Sequence, residues 1–182
     1  MIPEPPPGRP LSPRAAELVV AARELLEAEG PDALTMRELA ARLGIRAPSI
    51  YKHFAGKEAL ETVLAEEALL AMGTACHRAV ADPDPDRAVA ALARAYRAEA
   101  LRSPNLYRLV TRSDFPRDDI VEGLEDWAGT PFWLATGEPH IAQALWAYVH
   151  GMVILEIDDR FLVGSDLDQT WAQGIAAFQA LT

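Results

Sequence analysis

Between Thr35 and Lys57 the chain carries start, stop and restart signals so closely spaced that two short helices joined by a tight turn satisfy them all. Thr35 and Glu38 have capping-box spacing, in which each side chain meets a free backbone N–H at a helix terminus. Met36, Leu39, Ala40 and Leu43 then recur at i, i+3, i+4 and i+7, which makes one apolar face with Arg37 and Arg42 off it. Gly44 stands where a helix ends by entering the left-handed region, a conformation that costs glycine little. Pro48 is tolerated only in the first turn of the next helix, where its missing N–H loses no partner, so that helix begins near Ala47. Ile50 and Phe54, four apart, share the inner face, which leaves Ser49, Lys52 and His53 pointing outward and Tyr51 at the flank. The pattern is a helix-turn-helix, and such a polar, basic outer face suits the major groove of DNA.

Breakers and periodicity place the remaining elements. Ser12-Pro13 starts a first helix with a Leu18, Ala22, Leu25, Leu26 stripe, and Gly30-Pro31 stops it. A long fourth helix runs from Lys57 to about Val80 and ends in Asp82-Pro83-Asp84-Pro85-Asp86. Val89, Leu92, Ala93 and Tyr96 mark a fifth helix, Leu106, Leu109 and Val110 a sixth, and Ile120, Leu124 and Trp127 a seventh. An aromatic loop from Gly129 to Pro139 precedes helix eight, with Ile141, Leu145, Tyr148, Met152 and Leu155. Helix nine carries Leu167, Trp171, Ile175 and Phe178. No run alternates with a strand's period of two, so the fold class is all-α. The expected organisation is a disordered proline-rich tail over 1–11, a three-helix reading domain over 12–57 and a helical body over 58–182.

Charge and cysteine content narrow the function. The net charge of −10 argues against a polyanion partner, but its distribution does not. Residues 1–57 hold eight Lys or Arg against seven acids, residues 58–182 nine against twenty, and 35–57 five cations against the single acid Glu38. That local excess is the electrostatic footprint expected of a nucleic-acid reader. The one cysteine, Cys76, cannot form an internal disulfide, which suits a reducing cytoplasm. The amino terminus has no apolar core of signal-peptide length, and no stretch is long enough to span a membrane.

The run Gly44-Ile45 through Ile50-Tyr51-Lys52-His53-Phe54 and on to Gly56-Lys57-Glu58-Ala59-Leu60 resembles the amino-terminal DNA-binding domain of the tetracycline-repressor (TetR) family of bacterial regulators. The resemblance covers roughly Ala15 to Val63. Arg46 departs from the family pattern, in which a serine often caps the recognition helix, and supplies an extra cation instead. The resemblance implies nine helices in two domains, and a ligand-responsive transcriptional regulator, commonly a repressor, that binds a palindromic operator as a homodimer. Lys52 is suited to guanine O6 or N7, Ser49 and Arg37 to base edges, and Ala47 and Pro48 to a thymine methyl. By resemblance, Tyr51, His53 and Lys57 are expected to contact phosphate, and Thr35 and Arg46 complete the DNA-facing set.

Two further sets belong to the body. Tyr96, Tyr107, Trp127, Phe132, Trp133, Trp146 and His150 are candidates to line an apolar effector pocket, with Arg97 as another polar handle, although core packing is the plainer reading of any one aromatic. Ala144, Ala147 and Gly151 put small side chains along helix eight, where another helix can approach closely. A Trp146…His150-Gly151 stretch resembles one group of TetR-like carboxyl-terminal domains, in which the last two helices pair with their copies in a second subunit. Ala144, Ala147, Gly151, Leu155, Trp171, Ile175 and Phe178 are therefore the expected dimer face. His77, His140, His150, Cys76 and the Glu156-to-Asp159 run form no ligand or catalytic spacing, so no enzyme activity, metal or cofactor is expected. A helical interaction or ligand-binding module without DNA binding is the alternative, and it predicts a depleted recognition face.

Overall fold

The computed structural model describes residues 3–81 and 85–182. The expected break at Pro83 lies outside the described residues. Among them the chain forms nine helices and no strand: α1 Pro13–Glu29, α2 Met36–Arg42, α3 Ala47–Ile50, α4 Lys57–Ala79, α5 Pro85–Arg102, α6 Pro104–Thr111, α7 Leu124–Thr136, α8 Pro139–Ile157 and α9 Leu167–Gln179. Two compact units result. One comprises Pro6–Leu69 with Ser103–Leu124, and the other comprises Met1–Pro5, Leu70–Arg102 and Glu125–Thr182.

The first unit is built on the apolar stripe of α1. Ser12 caps that helix by accepting from the Ala15 N–H at 3.2 Å, and Leu18, Val19, Ala22, Leu25 and Leu26 are fully buried. Against them lie Leu39 and Ala40 of α2, Ile50 of α3, Phe54 just beyond it, Leu60 and Leu64 of α4, and Leu106 and Leu109 of α6. The first turn of α6 is secured from a distance. Ser103 makes no side-chain cap. Instead the Glu27 carboxylate of α1 accepts the N–H groups of Leu106 at 2.7 Å and Asn105 at 3.3 Å, and Asn105 Nδ2 donates back to the Leu26 and Glu27 carbonyls. A carboxylate at a helix amino terminus satisfies free donors and complements the helix dipole.

In the same unit, Glu66 of α4 accepts Arg9 at 3.0 Å and the Val121 N–H at 3.1 Å, while Arg9 also donates to the Asp119 carbonyl. The hydrogen bond that Arg9 donates to Glu66 raises the Arg9 pKa further. The segment expected to be a disordered tail thus carries specific anchors. In the second unit, the Pro3 carbonyl accepts from the Trp127 indole N–H at 3.0 Å.

The second unit packs α5 against α8 and α9. Val89, Leu92, Ala93, Tyr96 and Ala100 of α5, Leu145, Val149 and Val153 of α8, and Trp171 and Ile175 of α9 are buried. Helix seven departs from expectation at both ends. Ile120 lies in a turn, because the Val121 N–H is taken by Glu66 and Gly123 adopts φ +78°, so α7 begins only at Leu124. The expected aromatic loop is helical as far as Thr136, with Pro131 inside the helix. Proline there deprives the Trp127 carbonyl, four residues earlier, of its usual donor. Buried His77 of α4 supplies the replacement: its Nε2 lies 2.9 Å from the Trp127 oxygen, its ring lies tilted 4.7 Å from the indole, and its Nδ1 has no partner among the described residues. Since a carbonyl only accepts, His77 Nε2 is the donor. Gly73, one turn earlier, admits the same indole, since a Cβ at this position would stand 2.3 Å from Trp127 Cζ3.

This substitution of a side-chain donor for a backbone donor is testable by a double-mutant cycle. His77→Leu should lose about 1–3 kcal/mol of stability by leaving the Trp127 carbonyl unsatisfied. Pro131→Ala restores the backbone N–H, and in that background chemical denaturation should show His77→Leu costing measurably less.

Candidate nucleic-acid interface and the body sites

The reading face is carried by elements too short to persist alone. Isolated helices below about 12 residues are marginal in water, so α2 and α3 owe their shape to the residues they bury. Thr35 Oγ1 accepts from the Glu38 N–H at 3.1 Å, but the reciprocal half of the expected capping box is replaced, because the Thr35 N–H donates to the Ala33 carbonyl at 2.8 Å. Gly44 turns the chain at φ +63°. Arg46 precedes α3 with no side-chain cap. The helix itself ends at Ile50, earlier than the periodicity suggested, and a turn through His53 completes it. Even so, the Phe54 N–H still reaches the Ile50 carbonyl at 3.1 Å, and both side chains are buried.

That inward anchoring turns the other residues out. Thr35, Arg37, Arg46, Pro48, Tyr51, Lys52 and His53 are exposed, with Tyr51 at 53%, and Ala47, Ser49 and Lys57 are half-buried. Arg37, Arg46 and Lys52 have no ionic or hydrogen-bond partner among the described residues. The remaining cations differ. Arg42 reaches Glu29 at 3.4 Å, and Lys57 lies 3.5 Å from Glu61 and 3.4 Å from the Pro31 carbonyl. His53 Nδ1 stands 3.5 Å from Ser12 Oγ. Glu61 is buried to 2% exposure and also holds Arg112 at 2.9 Å, which ties α4 to the segment after α6.

The carboxylates of Glu27, Glu61 and Glu66 were not identifiable as organising residues from sequence. Their only local signal is that Glu61 and Glu66 interrupt an otherwise apolar stretch of α4. Their partners Asn105, Arg112 and Val121 are remote in the chain.

The seven residues expected to line an effector pocket fall in both units. Tyr107 belongs to the first unit, whereas the other six belong to the second. Tyr96 meets Phe132 edge-on at 5.7 Å, and Trp127 is enclosed by His77 and Gly73. Trp133 and Trp146 are about half exposed, and Trp146 stacks on His150 at 5.7 Å. Burial pushes the His150 pKa down.

The expected dimer face also divides. Ala144, Ala147 and Leu155 are exposed, Gly151 borders open space, and Phe178 is half-buried beside Tyr148. Trp171 and Ile175 instead point into the protomer, because they lie on the side of α9 that meets α5. Trp171 Nε1 donates to Glu156 at 3.1 Å, and Arg97 lies over its ring while pairing with Glu156 at 2.7 Å and Asp168 at 2.8 Å. Glu156 is therefore an internal ion-pair partner. Its hydrogen bond is the main reason the Arg97 pKa is raised. Cys76 is buried, which pushes its thiol up to about 12 and keeps it protonated and unreactive.

A sequence profile described as bacterial regulatory proteins, tetR family, matches residues 18–61, which contain this reading face. Another, described as tetracyclin repressor-like, C-terminal domain, matches residues 89–178. An uncharacterized HTH-type transcriptional regulator of Mycobacterium tuberculosis is 31% identical over 82% of this chain and 73% of its own length. The chain belongs to the TetR family. Over a shorter stretch, the class A tetracycline repressor of transposon 1721 from Escherichia coli is 48% identical across 52 residues, covering 29% of this chain and 24% of that protein.

Among solved structures, a protein of unknown function from Rhodococcus sp. RHA1 superposes with a TM-score of 0.79 at 24% identity, covering 93% of this chain and 95% of its own. A TetR regulator from Streptomyces coelicolor gives 0.66 at 24% identity, with 94% and 99% covered. The chain is accordingly a TetR-family transcriptional regulator with a DNA-binding helix-turn-helix domain, in a family of DNA-binding, dimerising regulators and not of enzymes. No helix among the described residues is long and apolar enough to cross a membrane.

Glu27 offers a direct probe of how the reading domain is held. Glu27→Ala removes the acceptor for two α6 donors and should cost about 1–3 kcal/mol. Amide hydrogen exchange should accelerate in α1 and α6, whereas Lys52→Ala, at an exposed and unpaired position, should leave exchange there unchanged.

Proposed function

We propose that this TetR-family protein is a ligand-responsive repressor that works in the cytoplasm, binding a palindromic operator as a homodimer and leaving it when a small-molecule effector binds. The observation that carries this reading is the trio Arg37, Arg46 and Lys52, exposed and unpaired around an anchored α3. Cations without internal partners lose no ion pair when they move onto DNA, and their binding releases counterions from it. In this reading Lys52 donates to guanine O6 or N7, Ser49 and Arg37 address base edges, and Ala47 and Pro48 meet a thymine methyl. Thr35, Arg46, Tyr51, His53 and Lys57 hold the phosphates and so set register. Lys57 exchanges its weak internal contacts for phosphate, while Arg112 remains to neutralise Glu61.

Two reading heads are required to span successive major grooves, about 34–36 Å apart or a multiple of it. The exposed small-residue face of α8 supports the pairing that would supply them. Ala144, Ala147 and Gly151 leave the helix backbone open to close approach, with Leu155 and Phe178 as apolar flanks. An effector acts by favouring a head spacing that does not fit the grooves. Moving a population from 99:1 to 1:99 takes about 5.5 kcal/mol of differential affinity.

Lys52→Ala should lower operator affinity and relax base preference. Lys57→Ala should weaken all duplexes alike and reduce the salt slope by about one. Gel-shift titrations against operator and random DNA distinguish the two, and equal, salt-independent affinities for both variants and the parent would contradict the assignment. Leu155→Arg places a charge on the apolar pairing face, so light scattering at micromolar concentration should show a shift from dimer towards monomer and the same sample should lose operator binding.

A further inference from the structure

A groove of about 390 Å³ runs between α5 and α9, wholly within the second unit. Its volume is within the range of small organic-ligand sites, about 300–1,000 Å³. The space exists because alanines occupy the facing positions: Ala90 and Ala93 on α5 and Ala172 on α9 leave unfilled what larger side chains would occupy. Buried Ala93, Trp171 and Ile175 give it an apolar floor.

The charges around it are unequal in what they can still bind. Arg97 is already committed, with both Glu156 oxygens and Asp168 on its guanidinium. Asp168 is neutralised by the same contact. Arg94, exposed on the groove wall one turn before Arg97, has no partner among the described residues. One unspent guanidinium beside an apolar trough matches one anionic head on an apolar body, and the planar guanidinium suits a carboxylate.

We propose that the α5–α9 groove binds an amphipathic monocarboxylate, its alkyl chain on Ala93, Trp171 and Ile175 and its carboxylate on Arg94. This rests on the effector reading above and gives the effector a chemical class and a place that the scattered aromatics do not. Helix α9 also carries Phe178, a flank of the proposed pairing face, so a ligand seated against α9 acts on a helix that contributes to the self-association surface.

The test uses the full chain, octanoate as the probe and octan-1-ol as its uncharged counterpart. Calorimetry should give one octanoate per chain with a dissociation constant of about 1 mM or tighter. Arg94→Ala should weaken octanoate about five- to ten-fold and leave octanol unchanged. Ala172→Phe, at an exposed position, should fill the trough and abolish binding of both, with thermal melting confirming that the variant folds. Absence of saturable octanoate binding, equal octanoate affinity in the parent and Arg94→Ala, or intact binding in folded Ala172→Phe overturns the groove assignment. Operator release is read separately by gel shift. Groove binding that leaves the operator complex intact refutes the effector role while the site stands, and release that persists in Ala172→Phe refutes the site while the effector role stands.

Discussion

Ile50 is completely buried, and the geometry of the reading surface depends on that burial. A four-residue helix has no stability of its own, so α3 holds a fixed direction only because Ile50 and Phe54 are sealed against the leucine stripe of α1 and the apolar face of α2. Burying one such side chain is worth about 1.5–3 kcal/mol, enough to outweigh the ordering of the few residues around it. Everything outward of Ile50 follows from this anchor. With Ile50 and Phe54 fixed on either side, the turn between them leaves Tyr51 and Lys52 exposed to solvent.

Three carboxylates extend that rigidity beyond the small core. Glu27 completes the start of α6, Glu61 gathers Lys57 and Arg112, and Glu66 gathers Arg9 and the turn before α7. The acids of the first unit therefore do more than offset its cations. They consume those that bind chain to chain and leave Arg37, Arg46 and Lys52 unneutralised where the surface faces outward. A strongly acidic protein presents positive charge to a polyanion in this way.

The helix-turn-helix was legible because its determinants are local. A threonine cap, a 3.6-residue apolar period, a glycine stop and a proline start each act within one or two turns, and Gly44 at φ +63° shows one of them at work. Helix seven was not legible for the opposite reason. Pro131 reads as a breaker until His77, more than fifty positions earlier, is known to satisfy the carbonyl that the proline abandons. The aromatic set was hard to sort for a similar reason, since counting aromatics cannot separate Trp127, walled in by His77, from Trp146 on an open helix face. Nor could periodicity tell which side of α9 meets α5, so Trp171 and Ile175 were expected on the outer face and are found on the inner one.

The central claim is that α3 enters the major groove twice per dimer. Protection of guanine N7 from dimethyl sulfate on bound operator DNA reports this most directly, because N7 lies on the major-groove edge. The account predicts two protected patches related by a two-fold axis, about one helical turn apart or a multiple of it. Binding that leaves every guanine N7 reactive would contradict it.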